Sequence, residues 1–585
     1  MTPTTYDFKP TPESIPPPNV ELKLKLPQNI SVNYHPLNPL DFLLRAALIY
    51  PHKLALAHPD VDTPAFYTYS VWAQRVQNLA YALIKRGLAP GDRVAVISPN
   101  VLQANDGWLV TTSYTGIILI SFGTDALQAA LAARVILAAI NTRLTPQEVA
   151  YILEHSGSKL ILVDSEYLHL VKGSNIPIIV SNDTGRSGDP YEDFLSEGRR
   201  FSNEKGWLGL DMEPDENTPA MLCYTSGTTG RPKGVLTTLR GTYLAAVANA
   251  FEGQMNIHST YLWILPMFHA AGWVFPWANT FAFTTQITMR AVDYPTIWKH
   301  FLHSNVTHYC GAPTVQIGIV NDPSAKRPQQ HIRAYIAGAA PTAHLIGSLE
   351  KIGIEPIHTY GPFTRNYRQE SWASLSLEER TKFMARQGHP FATAGDMRVV
   401  YRPEENPNGP NSGLVDVPKD GKTIGEIVTR GNIVMKEYLH DPEATKQAFH
   451  GGYLWTGDLA VMHPDGSAAV LDRSKDIIIS GGENASSLAI EQELASHPHV
   501  LEVSVVAREH QKWGERPMAF VILHPEHAAK WHNRHDEFTK DLKAHARKRL
   551  PGFACPEWVE VVPELPKTST GKILKTQLRK IVAKL

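Results

Sequence analysis

The sequence predicts an α/β protein of two unequal parts, a large N-terminal domain with mainly parallel sheets and a small α+β C-terminal domain. Its 585 residues are more than one hydrophobic core usually serves, so more than one domain is expected. Short apolar, β-branched runs at residues 93–97 and 159–163 stand beside helical patterns such as residues 146–155. That alternation packs helices against parallel strands. After Lys475 the helices and strands become closely spaced, which marks the smaller part.

Taken in order, residues 9–19, with Pro16-Pro17-Pro18, read as an extended arm. The strand at 93–97 is followed by an apolar stretch at about 105–123 and a helix predicted over 125–139. The apolar stretch includes Ile117-Ile118-Leu119-Ile120, but it is shorter than the ~20 apolar residues of a membrane span and contains Thr and Ser. Residues 403–422 cluster Pro, Gly, Asn and Asp and read as a loop. In the C-terminal part, 485–495 and 537–550 are predicted helices, and 500–507 and 518–523 are predicted strands.

Composition narrows the function without naming it. A net charge of −1 gives no electrostatic reason to expect nucleic acid or an anionic membrane as partner. The three cysteines, Cys223, Cys310 and Cys555, are scattered, which fits neither a disulfide framework nor a zinc site. They suit a reducing compartment. The N-terminus has no charged stretch followed by an apolar run, so secretion is not expected. Ala583-Lys584-Leu585 is a small-basic-leucine tripeptide close to the Ser-Lys-Leu peroxisomal address. An import receptor is therefore an expected partner and the peroxisome an expected location, with the cytoplasm otherwise.

The densest chemical signal is Tyr224-Thr225-Ser226-Gly227-Thr228-Thr229-Gly230-Arg231-Pro232-Lys233-Gly234-Val235. Glycines let backbone N–H groups approach an anion, hydroxyls add donors and Lys233 adds positive charge, the combination that phosphate binding calls for. It is not a Walker A loop, because Lys233 follows Arg231-Pro232 and precedes Gly234. Three further runs follow it: Trp455-Thr456-Gly457-Asp458, Leu471-Asp472-Arg473-Ser474-Lys475-Asp476, and Pro566-Lys567-Thr568-Ser569-Thr570-Gly571-Lys572.

In content and order these runs resemble the signatures of the AMP-forming adenylating enzymes: acyl-CoA synthetases, peptide-synthetase adenylation domains and luciferases. The likeness extends from about residue 41 to about residue 578 and is strongest toward fungal- and plant-type peroxisomal acyl-CoA ligases. It implies an N-terminal adenylation domain over 1–472 and a mobile C-terminal domain over 473–585, with a hinge at Asp472 to Lys475. It also implies attack of a carboxylate on the α-phosphate of ATP, giving acyl-AMP and pyrophosphate, then attack of a thiol on the acyl-AMP. Magnesium would accompany ATP. Free CoA is the expected acceptor, since no Leu-Gly-Gly-x-Ser stretch marks an attached carrier domain.

The resemblance assigns roles residue by residue. Thr225, Ser226, Gly227, Thr228, Thr229, Gly230 and Lys233 face the pyrophosphate end. Asp458 accepts from the ribose hydroxyls, since an ionised carboxylate has two acceptor oxygens. Arg473 adds a ribose or phosphate contact. Gly338, Ala339 and Ala340 form the adenine-side loop, and Tyr360 supplies the stacking ring. Lys572 bridges the acid and the α-phosphate, whose negative charges repel. His269 belongs to a motif that closes over the acyl group. Trp273, Phe275, Trp277, Gly311 and Ala312 line a pocket whose apolar, aromatic character suits a fatty or aromatic acid. Ser480, Gly481, Gly482 and Glu483 form the loop brought to the thiol in the second step.

Two departures leave an alternative open. The family writes Tyr-Gly-x-Thr-Glu where this chain has Tyr360-Gly361-Pro362-Phe363-Thr364-Arg365, as though six residues had been cut out. The glutamate that helps hold magnesium is absent, so the metal ligand is unknown and Arg365 is expected to compete with the metal. The second departure is the stretch at about 105–123, where the family has a short loop. Both suggest altered splicing of the coding sequence or a degenerate paralogue. The alternative function is then a catalytically weak member that binds nucleotide or acyl ligand without turnover, and a third is a luciferase-like or carrier-dependent enzyme.

Overall fold

The computed structural model describes residues 8–28, 30–98, 121–225, 231–339, 341–410, 412–567 and 572–584. Among these residues the strands form four sheets. The largest has nine strands, and six of them run parallel in the spatial order Leu54–His58, Thr285–Thr288, Thr260–Trp263, His308–Gly311, Ile332–Ile336 and Ile354–Tyr360. The next has seven strands, with Pro219–Tyr224, Ile136–Ala139, Arg93–Ile97, Ser158–Asp164 and Ile178–Ser181 parallel and adjacent. One continuous apolar core lies between these sheets and their helices, and its aromatic content includes Trp72, Trp207, Trp263, Trp277 and Trp298, all fully buried. The expected α/β architecture with mainly parallel sheets is therefore present.

Local chemistry explains where elements begin and end. The helix Pro146–Ser156 starts on a capping box in which Thr145 and Glu148 satisfy each other's backbone N–H, with Pro146 at its first turn. It ends on Gly157, whose φ of +59° closes the turn. The helix predicted over 125–139 needs correction: the structure has a helix Ser121–Ala132 and then a strand Ile136–Ala139. Arg134 adopts φ +60°, and the N–H groups of Arg134 and Val135 turn back to Leu131 and Ala130. The chain thus reverses into the centre of the seven-stranded sheet, where Ile136 suits a buried strand.

The helix Ser121–Ala132 is anchored by a buried ion cluster. Arg75 donates to Asp125 at 3.0 Å and to Glu192 at 2.7 and 2.8 Å, and Tyr191 donates to Asp125 at 3.1 Å. Of the apolar stretch at 105–123, residues 105–120 lie outside the described residues. Its flanks are close: a Cβ built on Gly123 would lie 3.4 Å from the Ser98 hydroxyl.

A third, antiparallel sheet contains Asp396–Val400, Gly425–Arg430, Tyr453–Met462 and Ala468–Arg473. It has its own small core around Phe363, Phe391, Met397, Ile427 and Met462. The fourth sheet is built wholly from residues after Lys475: Ile478–Ser480, Glu483–Ala485, Val500–His510, Gly514–Leu523 and Trp558–Val561. A separate core, including Ile478, Ile490, Val505, Phe538 and Leu542, backs it. The helices here, Ser487–Ala495 and His535–Ala546, are shorter than the predicted spans, and the strands are longer.

Candidate active site

The six parallel strands of the largest sheet end on the same edge, and ligands of open α/β sheets sit at the carboxyl ends of strands. Four neighbouring strands deliver sequence-predicted residues to that edge. Thr260–Trp263 leads to His269, His308–Gly311 ends on Gly311 and leads to Ala312, Ile332–Ile336 leads to Gly338 and Ala339, and Ile354–Tyr360 ends on Tyr360. Gly338, at φ +90°, and Ala339 are exposed on this rim. Ala340 lies outside the described residues.

Tyr360 is held by the shortened motif itself. Its strand turns at Gly361, with φ +55°, and returns as Thr364–Arg365, pairing Tyr360 with Thr364 and Thr359 with Arg365. The Thr364 hydroxyl accepts from the Tyr360 N–H at 3.1 Å and donates to the Gln387 carbonyl at 2.6 Å, while Phe363 plugs into the core of the third sheet. A complete hairpin therefore occupies the place where the resemblance suggests a shortened segment. The Arg365 side chain is engaged by Glu252. Its guanidinium donates to the Glu252 carbonyl and lies 3.7 Å from the Glu252 carboxylate, which also accepts from Tyr367 at 2.7 Å.

Asp458 sits in a distortion of the third sheet. Between the pairs Glu426 with Leu459 and Val428 with Trp455, the strand Gly425–Arg430 advances two residues while Tyr453–Met462 advances four. Thr456, Gly457 and Asp458 thus stand opposite Ile427 alone, an excess of two residues and a bulge of the kind that re-aims side chains next to functional sites. Its internal bonds are specific. Thr456 donates to the Ile427 carbonyl at 2.9 Å and accepts from the Asp458 N–H at 3.2 Å. The Gly457 N–H donates to the Glu426 carboxylate at 2.8 Å, and its carbonyl accepts from the Ser474 N–H at 3.0 Å.

The bulge points Asp458 at two predicted partners. Arg473 lies opposite it in register and pairs with it at 2.7 Å, and the Tyr360 hydroxyl donates to its other oxygen. Burial and the adjacent Asp458 push the Tyr360 phenol far above its ordinary pKa, so it stays a donor. Lys572, from the far end of the chain, joins the same cluster. Although its residue is exposed overall, loss of water around the ammonium, then the field of Arg473, lower its pKa against the opposing pull of Asp458 and Asp476.

The backbone at Asp472 to Lys475 passes between the two cores. Asp472 is buried and accepts from the Ser487 N–H and hydroxyl at 2.7 and 2.6 Å. Lys575 donates to the same Ser487 hydroxyl and pairs with Glu491 at 2.9 Å. One helical turn on, Arg579 pairs with Asp476 and donates to the Lys475 carbonyl at 3.2 Å. The last helix, Lys575–Val582, thus clasps this segment three residues after Lys572.

The phosphate-type run is described at its ends only, because residues 226–230 lie outside the described residues. Thr225 and Lys233 close it: the Thr225 N–H donates to the Lys233 carbonyl at 2.9 Å, and the Lys233 N–H donates to the Thr225 hydroxyl at 3.2 Å. The Lys233 ammonium lies 3.7 Å from Asp441 and over the Tyr438 ring, both partly exposed. Such a pair is worth about 0–1 kcal/mol, so an anion displaces it readily.

His269 immediately precedes the helix Ala270–Phe281, and burial lowers its pKa to about 4, making it neutral near pH 7. Phe275 is buried between Tyr261 and Tyr335. Trp277 is fully buried in the main core, so it packs behind the rim rather than presenting a surface to a ligand. The Trp273 side chain lies outside those described. Gly311 abuts Gln316, whose amide would lie 2.8 Å from an added Cβ.

Ser480, Gly481, Gly482 and Glu483 form a two-residue hairpin turn, with both glycines at positive φ and Ser480 paired with Glu483. Its recorded contacts are with its own domain: the Gly481 N–H donates to Trp513 at 2.8 Å, and Arg516 donates to the Ser480 hydroxyl at 3.2 Å. Asp458 acts electrostatically on Lys572, whereas the contacts given for this turn are with residues after Lys475.

The comparisons with known proteins concern the family and the fold. A family model described as AMP-binding enzyme matches residues 125–439, and one described as AMP-binding enzyme C-terminal domain matches residues 489–572. The peroxisomal acetate/butyrate–CoA ligase AAE7 of Arabidopsis thaliana is 36% identical over 94% of this chain and 95% of its own length. The peroxisomal benzoate–CoA ligase of the same plant is 34% identical, with 94% of each chain covered. Among solved structures, the ATP-bound RpMatB-BxBclM chimera B1 superposes with a TM-score of 0.77 at 23% identity, covering 94% of this chain and 99% of that one.

Proposed function

Since this chain belongs to the family of AMP-binding enzymes, we propose that the site at Asp458, Arg473, Tyr360 and Lys572 serves an AMP-forming acid–thiol ligase. The enzyme joins a carboxylic acid to ATP as acyl-AMP and then to CoA as a thioester. In the first step a carboxylate oxygen forms a bond to the α-phosphorus and pyrophosphate leaves. In the second, the thiolate sulfur of CoA adds to the acyl carbon and AMP leaves. The observation that carries the residue assignment is that the Lys572 ammonium lies in the field of the paired Asp458 and Arg473, 114 and 99 positions away in the chain.

In this reading Asp458 accepts from the ribose, Tyr360 stacks on the adenine beside Gly338 and Ala339, and Lys233 with Thr225 faces the departing pyrophosphate. Lys572 offsets the repulsion between carboxylate and α-phosphate, an electrostatic contribution made where charge develops. His269, being neutral, closes over the acyl group without adding charge. The conformation is the one suited to the first step, and a rotation about Asp472 to Lys475, between domains 1–472 and 473–585, would exchange Lys572 for Ser480 to Glu483 in the second.

Among the described residues, four carboxylates have partners here: Asp458 has Arg473 and Tyr360, Glu252 has Arg365 and Tyr367, Glu426 has Gly457, and Asp441 has a weak pair with Lys233. They do not fit a protein-held magnesium. The ion is best treated as part of its complex with ATP, since Mg²⁺ keeps waters and binds substrate phosphates. Binding without turnover would rest on the absent glutamate, and a magnesium carried by the ATP phosphates does not require it.

The acid we propose is a short aliphatic or an aromatic monocarboxylate, on the names of the two relatives and the apolar surroundings of Phe275. The same names support a peroxisomal location, with an import receptor reading Ala583, Lys584 and Leu585, of which Leu585 lies outside the described residues. The test is acid-dependent exchange of pyrophosphate into ATP across acetate, butyrate and benzoate, followed by thioester formation with CoA. No exchange with any acid would overturn the reading. Exchange without CoA-dependent turnover would favour the carrier-dependent or luciferase-like alternative.

A further inference from the structure

The Gly457 peptide has little steric restraint. At φ +73° it occupies the left-handed region, and an added Cβ would meet nothing within 4 Å, so neither its own side chain nor its neighbours fix it. Glycine at such a position moves freely between conformations unless hydrogen bonds hold it. Two bonds do so here, the N–H to the Glu426 carboxylate at 2.8 Å and the carbonyl from Ser474 at 3.0 Å. The Ser474 bond comes from the Asp472–Lys475 segment. Glu426 is therefore the large-domain group bonded to Gly457 itself, while Thr456 ties the bulge to the Ile427 carbonyl and the Asp458 N–H.

We propose that Glu426 is a positioning residue for nucleotide binding, acting through the Gly457 peptide to aim Asp458 at the ribose. Glu426 sits at the register shift between the strands Gly425–Arg430 and Tyr453–Met462, directly beneath the bulge. Its carboxylate is half-buried and within electrostatic reach of Asp458, a like charge. A carboxylate held there against repulsion is explained by the donor it receives, with Arg402, itself paired to Glu405, supplying the compensating field. Losing the acceptor frees the Gly457 peptide to rotate, and Asp458 then loses its fixed direction toward Tyr360 and Arg473.

The proposal rests on the reading of Asp458 as the ribose ligand, and the test separates the two. Affinity for the non-cleavable analogue α,β-methylene-ATP is measured by calorimetry on the full chain, wild type and Glu426→Ala, Glu426→Gln, Asp458→Asn and the double variant Glu426→Ala/Asp458→Asn. Glu426→Ala should weaken binding by about tenfold, the loss typical of a hydrogen bond to a charged group. Glu426→Gln, which keeps an acceptor oxygen, should stay within about twofold of wild type, and the KM for the acid should not move. In the Asp458→Asn background Glu426→Ala should cost nothing more, because residues acting through one another are non-additive. Full additivity, unchanged affinity in Glu426→Ala, or equal loss in Glu426→Gln overturns the proposal alone. Unchanged affinity in Asp458→Asn overturns the ribose reading and the proposal with it.

Discussion

Lys572 and Arg365 illustrate how charge reads at the level of single residues. The Lys572 ammonium lies where Arg473 and Asp458 act on it together, and Lys572→Ala is expected to reduce acid-dependent ATP–pyrophosphate exchange by at least about a hundredfold. Thioester formation from supplied acyl-AMP should survive; loss of both half reactions together would remove Lys572 from its assigned role. Arg365 is the opposite case. Its side chain and that of Glu252 are 14% and 10% exposed, so Arg365→Ala leaves a mostly buried carboxylate with the Tyr367 hydroxyl but no cation and should cost about 3 kcal/mol of stability. Its KM for ATP should be unchanged, and a rise would return Arg365 to the nucleotide site. The positions of Asp458, Arg473 and Lys572 were legible in the sequence because each lies in a run of unusual composition. Glu426 was not legible: a glutamate in a strand reads as solvated surface until the register shift beneath Gly457 is seen.

Among elements, the hairpin between Ile478–Ser480 and Glu483–Ala485 is the most exacting. Gly481 has φ +63°, and a Cβ there would lie 2.9 Å from Cε3 of Trp513. Gly481→Val is expected to distort this turn and slow thioester formation from acyl-AMP by about tenfold or more, leaving ATP–pyrophosphate exchange within about twofold. Equal losses in both steps would mean that the turn supports the fold rather than the thiol. Helix starts such as Thr145-Pro146 were legible because capping is a local code. The break after Ala132 was not, since Arg134 is an ordinary helix former and only the neighbouring strands Arg93–Ile97 and Pro219–Tyr224 draw Ile136–Ala139 into a sheet.

At the scale of the whole molecule, buried imidazoles set the response to acid. Burial lowers His58, His308 and His358 from 6.5 to about 4. The unfolded chain therefore takes up protons first, so their contribution is complete above pH 6.5 and is lost as the pH falls toward 4. Each histidine can account for up to about 3 kcal/mol over that window. Tm should drop steeply between about pH 7 and about pH 5 and less steeply in His308→Gln, and a flat Tm would contradict the burial of these rings. The two-part organisation was legible because residues after Lys475 carry a pattern of their own, and those residues build a separate core. The nearness of Ser98 to Gly123, where an added Cβ would lie 3.4 Å from the hydroxyl, has a consequence for the history of such a chain. Two residues held near each other bound the segment between them whatever its contents, and the entropic penalty of closure grows only as the logarithm of its length, about 0.6 kcal/mol for each doubling. Changes of exon boundary at this point are thus nearly invisible to folding, and a lineage can lengthen or trim the intervening segment while the strand and helix on either side keep their places.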